Sequence, residues 1–240
     1  MILHIRRRVA WGLCAVVVAA SAVLSTWWPS HRAVDTRTTE AVPIVTVDAG
    51  HGGFDGGASA ANGTKEKDIN LQVALPLSDM LRLCGVRVVM TRATDEALCE
   101  EEGLSIRQKK VRDMQERLAL FEQADWNVSI HQNSFAGASS NGTQVFYSTN
   151  HPASESLARS IQSQVVAWLQ PDNTREIKSG NRDIYLLYKT TVPTVLVECG
   201  FLSHEAECAK LESAAYQREM AWAIASGLMR CIGAEQGGTI

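Results

Sequence analysis

Ile44–Ala58 reads IVTVDAGHGGFDGGA. Its opening residues Ile44–Val47 are a short apolar run, and the glycine-rich stretch Ala49–Gly57 follows at once. This pairing predicts a buried strand that breaks into a loop. Beyond the loop, Ile69, Val73, Leu77 and Met80 or Leu81 recur at helical spacing until Gly85 stops the pattern. Val86–Met90 is a second strand candidate, and Ser105–Gln123 keeps Ile106, Met114, Leu118 and Phe121 near helical spacing. Trp126–Ile130 reads as a third strand running straight into His131, and Thr143–Ser148 as a fourth. Pro152–Leu169 reads as a helix with proline in its first turn and Leu157, Ile161, Val165 and Trp168 on one face. Ile184–Leu187 and Thr194–Val197 complete the strands, and helical stretches close the chain near Cys231. Strands separated by helices predict an α/β domain, its sheet covered on both faces.

The chain has 240 residues, 45% hydrophobic and 20% charged, which excludes wholesale disorder and collagen-like repeats. Its 23 basic and 26 acidic residues give a net charge of −3. No excess of positive charge remains to neutralise a phosphate backbone, so no nucleic-acid partner is expected. Arg6, Arg7 and Arg8 precede Val9–Trp28, a stretch without a charged residue. About twenty apolar residues span a hydrocarbon core of ~30 Å, so residues 1–28 read as a signal peptide or an N-terminal membrane anchor. Trp27 and Trp28 suit an interfacial belt, whereas Ala20-Ser21-Ala22 suits signal cleavage, and both readings stand. Either one places the remainder outside the cytoplasmic membrane, exported or anchored to its outer face. Residues 29–42 are polar and aperiodic and read as a linker. The catalytic body is then 43–233, with 234–240 as a tail. Cys14 falls in the leader, and the other five cysteines show neither a C-x-x-C spacing nor a disulfide framework, leaving room for one bridge.

In open α/β sheets ligands bind beyond the carboxyl ends of the strands. His51, His131 and Glu198 each follow an apolar run, and Glu66 heads the helix that carries Ile69 and Val73. Two imidazoles and a carboxylate (His51, His131 and Glu66) make a three-ligand zinc set that leaves a fourth position for water, as catalytic zinc sites do. Glu198 would then be the general base and acid beside that water. Taken singly, a loop histidine is more often a surface or capping residue, and Glu66 an ordinary first-turn carboxylate. A carboxylate that ends an apolar strand needs a partner or a function, and the joint placement of the four is what points to a site. The glycine cluster is not a phosphate cradle: Asp55 stands where the dinucleotide fingerprint needs its third glycine, and no Gly-Lys-Ser/Thr follows.

These residues carry a family resemblance. IVTVDAGHGGFDGGA, KEKDINL at Lys65–Leu71, MTR at Met90–Arg92, SIHQNSF at Ser129–Phe135 and VPTVLVECGFLSH at Val192–His204 resemble the zinc-dependent N-acetylmuramoyl-L-alanine amidases of the amidase-3 type. Order and spacing match from about Pro43 to Cys231. LSIRQKK at Leu104–Lys110 and IKSGNRDIYLL at Ile177–Leu187 are similar to the spore-cortex amidases of endospore formers.

The resemblance implies a single three-layer domain with a mixed, roughly six-stranded sheet flanked by helices. It places His51, Glu66 and His131 on the family's zinc ligands and Glu198 on its catalytic glutamate. The implied substrate is peptidoglycan, at the amide between N-acetylmuramic acid and L-alanine, in spore-cortex maturation by way of muramic-δ-lactam or in cell-wall remodelling. With no separate wall-binding module, targeting falls to the leader or to an activating or targeting protein. Gln132 and His204 depart from the commonest family residues, alanine and asparagine, and put substrate contacts in question more than catalysis.

Two competing readings remain. A cysteine hydrolase would use Cys199, although strand alternation points Cys199 away from the face of Glu198. A catalytically silent wall-binding protein would keep the fold without turnover. Lys178, Arg182 and Arg92 are read as solvated or structural and stay outside the site.

Overall fold

The computed structural model describes residues 41–135 and 140–236. The leader and nearly all of the linker lie outside the described residues, as does the end of the tail. Among the described residues no helix is long and apolar enough to cross a membrane.

Among the described residues twelve elements follow one another: β1 (Ile44–Ala49), α1 (Glu66–Leu83), β2 (Arg87–Met90), α2 (Ile106–Phe121), β3 (Trp126–Asn133), β4 (Gln144–Tyr147), α3 (Ala153–Trp168), β5 (Lys178–Ser179), α4 (Tyr185–Lys189), β6 (Thr194–Phe201), α5 (Glu205–Leu211) and α6 (Ala214–Gln236). The six strands form one mixed sheet in the order β2-β1-β3-β6-β4-β5. β1 runs parallel to β2 and β3, and β3 parallel to β6, whereas β4 is antiparallel to β6. This is the α/β fold that the alternation of strands and helices predicts.

Alternation along the three central strands sorts apolar from polar. Val45, Val47 and Ala49 of β1, Val128 and Ile130 of β3, and Val195 and Val197 of β6 are fully buried and share one face. That face packs with α1, α3 and α6 into the main hydrophobic core. The opposite face carries Thr46, Asp48, Asn127, Ser129, His131, Thr194 and Glu198, and α2 and α4 cover it. Most of these polar groups can be buried there because they hydrogen-bond to one another, whereas Asn127 Oδ1 and Glu198 Oε2 have no partner among the described residues.

Arg117 of α2 is the centre of that network. It is fully buried and pairs with Asp48, and its Nε donates to Asp113 Oδ2 at 2.7 Å. Burial alone would raise the Asp48 pKa, but the Arg117 guanidinium and the Ser129 and Thr91 hydroxyls hold it below the ordinary carboxylate range. Replacing Arg117 by methionine strands two buried carboxylates. The expected cost is about 3–5 kcal/mol of stability, read as a lower urea midpoint at unchanged slope.

Two strand expectations need correction. Ile184–Leu187 is not a strand: Tyr185–Lys189 forms the short helix α4, burying Leu186 and Leu187. A four-residue apolar run has no periodicity to choose between helix and strand, and the turn Ile184 N–H to Asn181 O starts a helical path. The remaining strand is instead Lys178–Ser179, paired with Phe146 and Tyr147 of β4. β3 and β6 also run on past His131 and Glu198, to Asn133 and Phe201. Both residues therefore sit inside strands, because β3 and β6 keep hydrogen-bonding to each other beyond the expected strand ends. At the chain's end α6 continues beyond Cys231 to Gln236. All five cysteines of the described residues are free thiols.

Candidate active site

The four side chains singled out in the sequence converge at the carboxyl-terminal side of β1, β3 and β6. His131 and Glu198 are register partners on adjacent parallel strands, so both project to the same face. His51 stands two residues beyond β1, and Glu66 is the first residue of α1. Glu66 Oε1 lies 2.9 Å from His131 Nδ1, and Oε2 lies 3.2 Å from His51 Nε2. The two rings meet edge to face with centroids 4.9 Å apart. One donor atom from each of His51, Glu66 and His131 lies within 4.8 Å of the others.

The backbone is shaped to permit this approach. A Cβ at Gly50 would meet His131 Nε2 at 2.2 Å, and one at Gly57 would meet Glu66 Oε2 at 2.5 Å. Glycine is needed at both positions because the side chains of His131 and Glu66 occupy the space. His51 itself has φ +62°, a left-handed conformation rare for a side-chain-bearing residue. Arg117 donates to the His51 carbonyl at 2.7 Å and Gly50 N–H to the Ile130 carbonyl at 3.1 Å, which fix the strained turn in place. Arg92 braces the same loop, donating to the carbonyls of Ala49, Gly50 and Lys67. It is buried, and so belongs to the scaffold. Lys178 and Arg182 are exposed, and neither lines the cavity beside the cluster.

A second layer of groups orients the first. Asp55 Oδ2 sits 2.9 Å from His51 Nδ1, which leaves Nε2 facing Glu66, and Lys110 Nζ holds the other Asp55 oxygen at 2.9 Å. Glu66 receives the backbone N–H groups of Ala58 at 2.8 Å and Gln132 at 3.1 Å. Asn70, one turn along α1, donates to the Gly50 carbonyl at 3.0 Å and accepts from Gln132 Nε2 at 3.1 Å. Partners of this kind fix the tautomer and orientation of metal-binding side chains. Asp55, Lys110 and Asn70 escape the sequence reading. Asp55 shows there only as the break in a glycine fingerprint, and nothing in the sequence joins it to a lysine on α2. Gln132 and His204 have local work: Gln132 extends the chain from Glu66 through Asn70, and the His204 ring caps α5 by accepting from Glu207 N–H at 3.3 Å. Asparagine does the same at helix N-caps.

Charge in the cluster favours a cation. Burial opposes ionisation of Glu66 and Asp55, yet hydrogen bonds from the histidines (and, for Asp55, from Lys110) hold both carboxyls well below the usual range. Burial would likewise lower the His51 pKa, but Asp55 and Glu66 lift it to about 9. Two carboxylates thus pull a positive charge onto the ring. The donors are borderline nitrogens and one oxygen, the set that zinc accepts.

Glu198 is the counterweight. Among the described residues it makes no ion pair and its buried Oε2 has no hydrogen-bond partner, and burial pushes its pKa up to about 7. A carboxyl poised near neutrality can take or give a proton. A cavity of about 360 Å³ opens beside His51 and His131, with Phe54, Met114, Ile184 and Tyr185 among its walls. Cys199 cannot serve as a nucleophile there: it is fully buried on the other face of β6, and burial pushes its thiol up to about 12.

Comparison with known proteins gives the family. The family model described as N-acetylmuramoyl-L-alanine amidase, of the amidase-3 type, matches residues 45–230. The germination-specific N-acetylmuramoyl-L-alanine amidase of Bacillus subtilis (strain 168) is 35% identical over 189 residues, 78% of each chain. The CwlD amidase of Clostridioides difficile, solved in complex with the GerS lipoprotein, superposes with a TM-score of 0.77 at 38% identity. That match covers 80% of this chain and 99% of the other. An N-acetylmuramoyl-L-alanine amidase from Clostridium difficile 630 follows with a TM-score of 0.71 and 28% identity, covering 81% of this chain and 98% of the other. The chain belongs to the amidase-3 family of N-acetylmuramoyl-L-alanine amidases, enzymes that hydrolyse the amide between muramic acid and the peptide of peptidoglycan.

Proposed function

We propose that this amidase works with zinc held by His51, Glu66 and His131, that Glu198 moves the proton, and that its substrate is the peptidoglycan of spore cortex or of a remodelled cell wall. The observation that carries the reading is the meeting of three donor atoms within 4.8 Å beside a buried, near-neutral carboxyl. His51, Glu66 and His131 would hold the zinc, which when bound would supply Lewis acidity toward the scissile carbonyl and toward water near pH 7.

The chain's own groups supply the rest. Glu198, as carboxylate, accepts a proton from the attacking water. It then returns that proton to the L-alanine nitrogen as the carbon–nitrogen bond breaks, since an unprotonated amine is a poor leaving group. Asp55 holds the His51 ring through Nδ1, and Phe54, Met114, Ile184 and Leu186 give the cavity beside the cluster an apolar wall.

The cortex assignment is supported by the germination-specific relative and by the CwlD match. The products in that setting are muramic residues stripped of peptide, the precursors of muramic-δ-lactam. The work takes place outside the cytoplasmic membrane, with the N-terminal segment as export signal or anchor. The lipoprotein bound to CwlD supports an activating or targeting partner for this chain too.

Purified wall digested by the protein tests the reading. Mass spectrometry is expected to find peptides with a free L-alanine amino terminus and glycans with an unsubstituted lactyl group. Both should vanish when a chelator is present. Intact wall after digestion would return the chain to a silent binding role.

A further inference from the structure

The cavity beside the cluster has a neighbour across Met114. A second cavity of about 500 Å³ runs along α2 and shares Lys110, Met114 and Tyr185 with the first. Ile106 and Val111 line it while 67% and 53% exposed, an unusual outlay of apolar surface on a helix whose outward side is otherwise charged. Its lining includes two cations, Arg107 and Lys110, and no carboxylate. Lys110 is engaged with Asp55. Arg107 is exposed, and none of the ion pairs among the described residues involves it.

We infer that this outer groove seats the stem peptide leading away from the scissile amide, and that Arg107 receives one of its carboxylates. The inference rests on the amidase reading and gives that site its peptide specificity. Three features select an acidic peptide over the glycan. The groove adjoins the cavity where the amide must lie, with Lys110, Met114 and Tyr185 lining both. Its walls are apolar, which suits alanine methyls and aliphatic side chains, whereas a run of sugar hydroxyls would lose hydrogen bonds to water there. Its one lining charge outside an ion pair, Arg107, is positive, complementary to peptide carboxylates and indifferent to neutral N-acetyl sugars. Arg107 is a specificity-determining residue, remote from the reacting atoms.

The test compares two substrates on the zinc-loaded full chain: an N-acetylmuramoyl tripeptide with free carboxylates, and N-acetylmuramoyl-L-alanine amide, which has none. Arg107→Gln is expected to raise KM for the tripeptide about five-fold, the size of one exposed charge pair, with kcat unchanged. KM for the alanine amide should stay at its wild-type value. Binding of the same tripeptide to zinc-loaded Glu198→Gln protein, read by calorimetry, should weaken by the same factor when Arg107→Gln is added. Equal losses on both substrates, or none on either, would overturn the groove assignment and leave the amidase reading standing. A change seen only in the binding of a partner protein would give the groove to that partner and overturn it as well. Failure of the wild-type chain to cleave either substrate would remove the amidase reading, and this inference with it.

Discussion

Glu198→Gln is expected to lower kcat by a factor of about 10²–10⁴ while metal content and unfolding midpoint stay near wild type. Glutamine keeps the shape and fills the same buried space, but it can neither accept the water's proton nor deliver one to the departing amine. A group acting only in the transition state lowers kcat and kcat/KM together, so KM should move little. Glu198 takes no part in the hydrogen bonds that join His51, Glu66 and His131, so the metal should stay. The pH profile adds an independent check. Burial places the Glu198 pKa at about 7 in the ion-free cluster, and a bound cation favours the carboxylate form, which lowers it. The acid limb of kcat/KM in the zinc enzyme is therefore expected below pH 7, and it should disappear in Glu198→Gln. A variant with normal turnover would remove Glu198 from the proton-transfer role.

His131→Ala is expected to act on the metal itself. Removing a partner that merely orients a ligand costs about 10–100-fold in metal affinity; deletion of a ligand should exceed that, and turnover should fall with it. The fold should tolerate the change, because the ring is partly exposed and the β3–β6 ladder is made by backbone. His51→Ala is expected to behave alike, with Asp55 and Lys110 left without the ring they orient. Metal binding to the wild-type cluster should also weaken as pH falls. His51 holds a proton up to about pH 9 in the ion-free cluster, and that proton must leave for the ring to ligate. Uptake of zinc near pH 7 is therefore expected to release protons. Metal analysis and calorimetry in buffers of different ionisation heat would read both effects.

Much of this site is legible in the sequence, for a physical reason. His51, His131 and Glu198 each follow an apolar run, and a buried run is the kind of segment whose direction and neighbours a sheet fixes. Parallel pairing then places residues at like positions side by side, as with His131 and Glu198. Glu66 is harder to read, since a first-turn carboxylate is ordinary; its role depends on where α1 begins relative to the Gly57 turn. What stays hidden is whatever depends on long-range contact. Arg117, fully buried between Asp48 and Asp113, looks in sequence like one more charge on a charged helix, and the same holds for Lys110. Ile184–Leu187 shows the other limit. Four apolar residues bury equally well in a strand or a short helix, and only the packing of Leu187 against Gly180 and the turn at Asn181 decide between them.

A crystal structure of the protein with data collected on both sides of the zinc absorption edge tests the central claim most directly. The account predicts one anomalous peak among His51, Glu66 and His131, with the donors about 2.0–2.2 Å from it and Glu198 nearby but unbound. A peak elsewhere, or zinc-free protein of undiminished activity with these three side chains turned apart, would contradict it.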